Sequence, residues 1–192
     1  MPRAGVTHER VVAEAAAVAD EVGLERLTLA AIAQRFGVTL PSLYKHVDGL
    51  DGLKRDLAVL GVRELTTALS LAGVGRARRD ALHAIANAYR DYAKAHPGRS
   101  AAAVRAPDPD DAEHLAASEA AFAVLLAVLG GYKITGDDAI DAVRSLRAAM
   151  HGFVTLEATG GFGLPQSVDA TYTRLIDALD TAFAAWSITN RS

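Results

Sequence analysis

The chain contains no cysteine in its 192 residues. That excludes a disulfide scaffold and every thiolate metal site. Proline is scarce at 6 and glycine moderate at 16, while apolar residues make up 51%. Collagen-like and disordered classes are therefore excluded too. Long hydrophobic runs are missing. The longest uncharged apolar stretch runs from Ala120 to Tyr132 and is closed by Glu119 and Lys133. A membrane-spanning helix needs about 20 apolar residues, so this one is expected to be a buried core helix. Glu9, Glu14, Asp20 and Glu21 interrupt the region where an export signal would have to be apolar. The chain reads as cytoplasmic, with no membrane partner. An excess of cations is also lacking, because the formal charge is −3. That rules out a broadly basic coat and confines any nucleic-acid contact to a local surface.

Alanine is what is abundant, with 40 residues, and it favours helices because it loses no side-chain entropy there. Helix start and stop signals recur along the chain. Thr7 caps a helix to about Val22, stopped by Gly23. Thr28 caps Leu29 to Phe36, stopped by Gly37. Thr39 caps a third helix, with Pro41 in its first turn, reaching about Val47. A fourth begins near Asp48 or Asp51 and extends to Ser70. Further helices are expected over Arg76–Ala95, Ser100–Ala106, Asp110–Leu129, Thr135–Thr159 and from Ser167 to Ile188. Pro97-Gly98 is read as a stop, and Asp110 with Glu113 as a capping box. No stretch alternates with period two over a strand length. The fold class is all-α with about nine helices. Short helices come first and longer ones follow, which divides the chain into residues 1–50 and 51–192.

The informative segment is Thr28 to Val47, read as helix-turn-helix. Leu29, Ile32, Ala33 and Phe36 lie on the first helix, and Leu43, Tyr44 and Val47 on the second. The crossing needs a small residue, which Ala33 supplies. The sharp turn needs a positive φ, which Gly37 supplies without Cβ strain. Val38 and Leu43 fill the space between the helices. Thr39, Leu40, Ser42, Tyr44, Lys45 and His46 are left to face outward. A second helix of this kind presents its N-terminal residues to major-groove base edges. Tyrosine hydroxyls and lysine ammoniums commonly contact phosphate. The alternative at this point is a tight αα-corner in a helical interaction module that binds no DNA.

The run from Leu27 to Val47, followed by Asp48-Gly49-Leu50-Asp51-Gly52-Leu53, resembles the DNA-binding domain of TetR-type transcriptional regulators. The resemblance covers about residues 7–60. Met150-His151-Gly152-Phe153, the glycine-rich loop and the last amphipathic helix are similar to one C-terminal subgroup of these regulators. The resemblance implies a ligand-responsive repressor that binds a near-palindromic double-stranded DNA operator as a homodimer. A small-molecule effector would release it. By position, it implies that Thr28 contacts phosphate and that Thr39, Leu40, Pro41 and Ser42 approach the bases. Tyr44, Lys45, His46 and Lys54 would grip phosphates. Leu40-Pro41 offers few hydrogen bonds, so readout there would rest on thymine methyls and DNA shape.

Residues 1–60 hold 7 Lys/Arg against 8 Asp/Glu, so the reading half is not basic overall. A narrow positive strip is expected instead, formed by Lys45 and His46 with Arg3. In the C-terminal part, a dimer seam is expected from Leu146, Met150 and Phe153 on one helix and Leu175, Leu179, Phe183 and Trp186 on the last. Tyr89, Tyr92 and His151 are the candidate effector contacts. Effector binding would act on the DNA-reading head through the fourth helix.

No two of the six histidines are spaced i, i+3 or i+4, and no HExxH, GxSxG or P-loop pattern occurs. An enzyme is not expected. Asp108-Pro109-Asp110-Asp111 begins a run that lacks the glycine at position six and an oxygen ligand at position five of a calcium loop, so no metal is expected. No cofactor is expected either.

Overall fold

Hydroxyl caps open three of the helices in the computed structural model, which describes residues 6–189. The Thr7 hydroxyl accepts from the Arg10 amide at 3.3 Å, that of Thr28 from Ala31 at 3.2 Å, and that of Ser167 from Ala170 at 3.2 Å. Each satisfies a first-turn donor that has no partner inside its helix. The elements run α1 (His8–Val22), a 3₁₀ turn (Leu24–Arg26), α2 (Leu29–Phe36), α3 (Leu40–Leu43) and α4 (Gly49–Gly73). Then follow α5 (Arg78–Ala95), α6 (Pro97–Ala102), α7 (Ala112–Gly130), α8 (Gly136–Ala158) and α9 (Val168–Thr189). Among the described residues there is no strand. Arg3 of the expected strip lies outside the described residues.

The chain packs as two units. The first comprises the chain up to Glu64 together with Ala95–Ala117; the second comprises Leu65–Lys94 and the chain from Ser118 onward. The core of the first unit joins Val11, Ala15 and Val18 of α1 to Ile32 and Ala33 of α2, Leu43 of α3, Leu53 and Leu57 of α4, and Ala102 of α6. A fully buried leucine of this kind contributes about 1.5–3 kcal/mol. The core of the second unit joins Leu82, Ile85 and Tyr89 to Leu125 and Leu129, Leu146 and Met150, and Tyr172, Ile176 and Phe183. The Tyr172 hydroxyl is buried and donates to the Ala86 carbonyl at 2.6 Å, which satisfies it without water.

Packing does not divide the chain after residue 50. The first turns of α4 bury Leu53, Leu57 and Ala58 in the first core. The segment 95–117 belongs to that unit as well. The reason lies in α6. α5 stops at Ala95 as expected, and Pro97 in addition begins α6, because its missing N–H falls at a position that has no intrahelical acceptor. Gly98 then brings α6 against α1 so closely that a Cβ would lie 2.2 Å from the Ala19 carbonyl carbon. Asp20 of α1 completes the joint, accepting the Gly98 and Arg99 amides at 2.9 and 3.0 Å.

Two other local expectations change. The start of α7 is capped by Asp111, whose carboxylate accepts the His114 amide at 3.0 Å, not by an Asp110–Glu113 box. Glu113 is turned to arginines instead. α3 is only one turn long, and its Thr39 hydroxyl meets the Ser42 hydroxyl at 3.0 Å instead of capping an amide. α7 has the length and mean hydropathy (1.6) of a membrane span. Its Leu125, Val128 and Leu129 lie in the second core, but only 28% of its apolar window is buried, less than expected for a core helix.

Candidate nucleic-acid interface

The turn between α2 and α3 is made by Gly37, whose φ of 63° and ψ of 35° are left-handed. The Gly37 and Val38 amides turn back onto Gln34 and Ala33. This redirects the chain within two residues, so α3 crosses α2 with Leu43 fully buried beneath it. Burial of Leu43 and Val47 fixes which side of the segment faces away from the protein. Thr39, Leu40, Pro41, Tyr44 and Lys45 are exposed, and Ser42 and His46 are half-buried. Tyr44 stands out at 56% exposure. Thr28 is exposed at the start of α2, though its hydroxyl already caps that helix. Lys54, one turn into α4, is half-buried. No acid interrupts Thr39 to Val47, and Asp48 follows immediately. The outward face is thus an apolar tip of Leu40 and Pro41 next to a phenol and an ammonium. Side chains of these kinds can meet a groove and a phosphate respectively.

A four-residue helix has few hydrogen bonds of its own, and a side chain of α1 reaches the end of this one. The His8 ring, at the start of α1, donates from Nδ1 to the His46 carbonyl at 2.8 Å. A carbonyl oxygen only accepts, so Nδ1 carries the proton of this bond. His8 Nε2 lies 3.5 Å from the Asp56 carboxylate on α4 and pairs with it only when that nitrogen carries a proton as well. Arg55 links Asp56 (3.0 Å) to Glu113 (2.7 Å) and binds both carboxylate oxygens of Asp111. The hydrogen bond from Arg55, followed by that from the His114 amide, holds the Asp111 carboxyl well below its ordinary range. None of these supports was legible in the sequence, because His8, Asp56 and Asp111 share no periodic or motif relation.

The effector candidates divide. The Tyr89 hydroxyl and His151 Nδ1 lie 3.3 Å apart, joining α5 to α8. Burial raises the Tyr89 phenol above its ordinary value. Burial, then the nearby Arg147 charge, lowers His151. Tyr92 is also buried but is not part of this pair. A shallow, open depression lies elsewhere, in the first unit, lined by Val18, Val22, Arg26, Ala31, Gln34 and Arg35. None of the three candidates borders it.

The expected dimer seam needs correction. Leu146 and Met150 are 0% exposed, Phe183 1% and Phe153 7%. Within one chain they lie in its core and leave little surface open. Leu175, Leu179 and Trp186 are half-buried and pack against the same core. Leu146, Met150, Phe153 and Phe183 are thus covered within the chain, while Leu175, Leu179 and Trp186 keep part of their surface open. Sequence periodicity reports burial and not whose surface does the burying. Each of these helices also exposes one stripe of small residues. α8 exposes Ser145, Ala148 and Gly152, with Leu156 at 50%, and α9 exposes Ala178, Ala182 and Ala185.

A chain that is helical throughout its described elements, and whose helix-turn-helix exposes Tyr44 and Lys45 just after its second helix, has the make-up of a DNA-binding regulator. Comparison with known proteins makes this specific. Residues 82–179 match the tetracycline repressor-like C-terminal domain family. The chain is 42% identical over 158 residues to the uncharacterized HTH-type transcriptional regulator Rv0681 of Mycobacterium tuberculosis, covering 82% of this chain and 72% of the relative. It is 33% identical over 161 residues to YobS of Bacillus subtilis, also an uncharacterized HTH-type transcriptional regulator, covering 84% of each. Its fold is similar to that of TetR-Q116A from Acinetobacter baumannii AYE, solved with minocycline, at a TM-score of 0.73 and 21% identity over 95% of this chain and 99% of the other. The chain belongs to the TetR family of DNA-binding transcriptional regulators.

Proposed function

We propose that the chain represses transcription as a homodimer on a near-palindromic operator and is released by a small molecule. Residues 1–50 would read DNA; residues 51–192 would bind the effector and dimerise. The observation that carries this is the outward face of α3 and its following turn. Leu40, Pro41, Tyr44 and Lys45 are exposed while Leu43 and Val47 are held in the core. Thr39, Leu40, Pro41 and Ser42 would approach the bases. Thr28, Tyr44, Lys45, His46 and Lys54 would take phosphates.

Two reading helices must sit about 34–36 Å apart to meet successive major grooves, which is the functional reason for a dimer. The small-residue faces of α8 and α9 suit a four-helix seam, because small side chains let helices approach closely. The TetR-Q116A structure was solved with minocycline, so a small-molecule effector is proposed for this chain as well. Tyr89 and His151 would contact it, with Tyr92 nearby on the same helix. Effector binding would act on the head through α4, whose residues belong to both units. Release requires the effector to favour one dimer shape by several kcal/mol. The family is one of cytoplasmic regulators, and no catalytic role is proposed.

Selection of bound duplexes from a random pool is the test. The expected result is a palindromic consensus whose half-sites lie one helical turn apart, bound with steep salt dependence. Binding that ignores both sequence and salt would overturn the reading in favour of an interaction module.

A further inference from the structure

We propose that His8 is a positioning residue for the DNA-reading segment, held in place by Asp56. The inference rests on the reading of Thr39–His46 as the DNA contact. α3 is one turn long and makes almost no helical hydrogen bonds of its own. Two amides after it, those of His46 and Val47, return to the Leu43 carbonyl at 2.8 and 3.2 Å. On the protein side the segment rests on two apolar anchors, Leu43 and Val47, which fix its depth. Apolar contact is non-directional, so it leaves the segment free to roll about that axis. A directional bond at the far end removes that freedom, and the His8–His46 carbonyl bond is such a bond.

His8 is itself constrained. It is the first residue of α1, its ring is half-exposed, and its second nitrogen faces the largely buried Asp56. Asp56 is oriented by Arg55, and Arg55 by Asp111 and Glu113 at the start of α7. One ring therefore joins α1 and α4 to the end of the reading segment. Tyr44 and Lys45, the proposed phosphate contacts, lie within two residues of the carbonyl it holds. Loss of the anchor on that carbonyl would loosen the turn that carries both side chains. Their register on a duplex is thus set by a residue outside the helix-turn-helix.

The test uses the full chain and its selected duplex, with variants His8→Ala, His8→Asn and Lys45→Ala. Asparagine carries an amide N–H close to the place of Nδ1, so it restores the bond without a ring. Alanine removes it. The expected result for His8→Ala is an operator affinity about ten-fold lower, of the order one lost hydrogen bond supplies. Affinity for random duplex and the salt slope stay near wild type. His8→Asn recovers most of the loss. Lys45→Ala weakens both kinds of binding and lowers the salt slope, as loss of a phosphate contact does. Amide hydrogen exchange without DNA gives a second readout. The His46 and Val47 amides exchange faster in His8→Ala and return to normal in His8→Asn. Unchanged exchange in His8→Ala, an asparagine variant that behaves like alanine, or equal loss of specific and random binding would each overturn the proposal. If wild type selects no duplex at all, the DNA reading fails, and the exchange experiment still decides whether His8 holds the segment.

Discussion

Arg90 of α5 grips both carboxylate oxygens of Glu157 on α8, with Nε at 2.7 Å and Nη2 at 2.5 Å. The same guanidinium reaches Asp169 at the start of α9 at 2.7 Å. It lies over the rings of Tyr172 and Phe153, 5.0 and 5.6 Å from their centroids. Lys94 adds a second cation to Glu157 at 2.9 Å. One buried side chain of α5 thus joins α8 and α9, the two helices that flank the glycine-rich loop.

Removal of Arg90 should be costly, because it leaves Glu157 largely buried without its main partner. Arg90→Ala is expected to destabilise the chain by about 3–5 kcal/mol, read by urea denaturation. Asp169 is 83% exposed, so Asp169→Ala should cost less than about 1 kcal/mol. Equal losses in the two variants would contradict this ranking.

Acid should weaken the same joint. The Arg90 hydrogen bonds hold the Glu157 carboxyl down at about 2. A carboxylate depressed in the fold contributes stability that is complete above its unfolded value, about 4.3, and is lost as pH falls toward 2. Asp111, lowered by Arg55, acts in the same direction. His114 is 1% exposed, and burial lowers it below its ordinary value. The unfolded chain therefore takes up a proton that the fold resists, and stability falls as pH drops below about 6.5. Each group adds at most about 1.4 kcal/mol per pH unit. Denaturation curves from pH 7.5 to 3 should show Glu157→Gln flattening the acid limb and His114→Leu flattening the region below 6.5.

The α1–α6 joint has no room for a methyl group. Gly98→Ala would push a Cβ into the Ala19 backbone, which cannot yield as a side chain would. A loss of about 3 kcal/mol is expected, at the upper end of overpacking costs. Gly37→Ala has open space but a left-handed φ, so about 1–2 kcal/mol is expected there. Thermal melts of the two variants decide whether the contact or the backbone angle matters more.

The proposed dimer can be tested at its corrected face. Ala182→Glu places a charge on the exposed side of α9 and should yield monomers in sedimentation equilibrium at micromolar concentration, with the thermal melt of the monomer little changed. Phe183→Ala, one residue on, should instead lower stability by about 3–5 kcal/mol, because that ring fills the chain's own core. A fully dimeric Ala182→Glu chain would place the seam elsewhere.

Much of the architecture is legible in one dimension because it depends on neighbours three or four residues apart. Thr7, Thr28 and Ser167 open helices where their hydroxyls reach their own first turns, and Gly37 turns the chain by its own φ. The exposed residues around Tyr44 follow from the burial of Leu43 and Val47, which a helical period also reports. Whether a stripe faces its own chain or another depends on where distant helices pack, and this moved Leu146, Met150, Phe153 and Phe183 from a seam to a core. The same holds for α6, since only the closeness of Gly98 to Ala19 shows why 95–117 joins the first unit. Ionic joints such as His8–Asp56 and Arg90–Glu157 span 48 and 67 positions and carry no sequence period. Local bonding chemistry therefore determined the helices and the reading motif. Tertiary structure decided which buried faces are internal and which charges hold the pieces in place, because those choices depend on distances that only the folded chain creates.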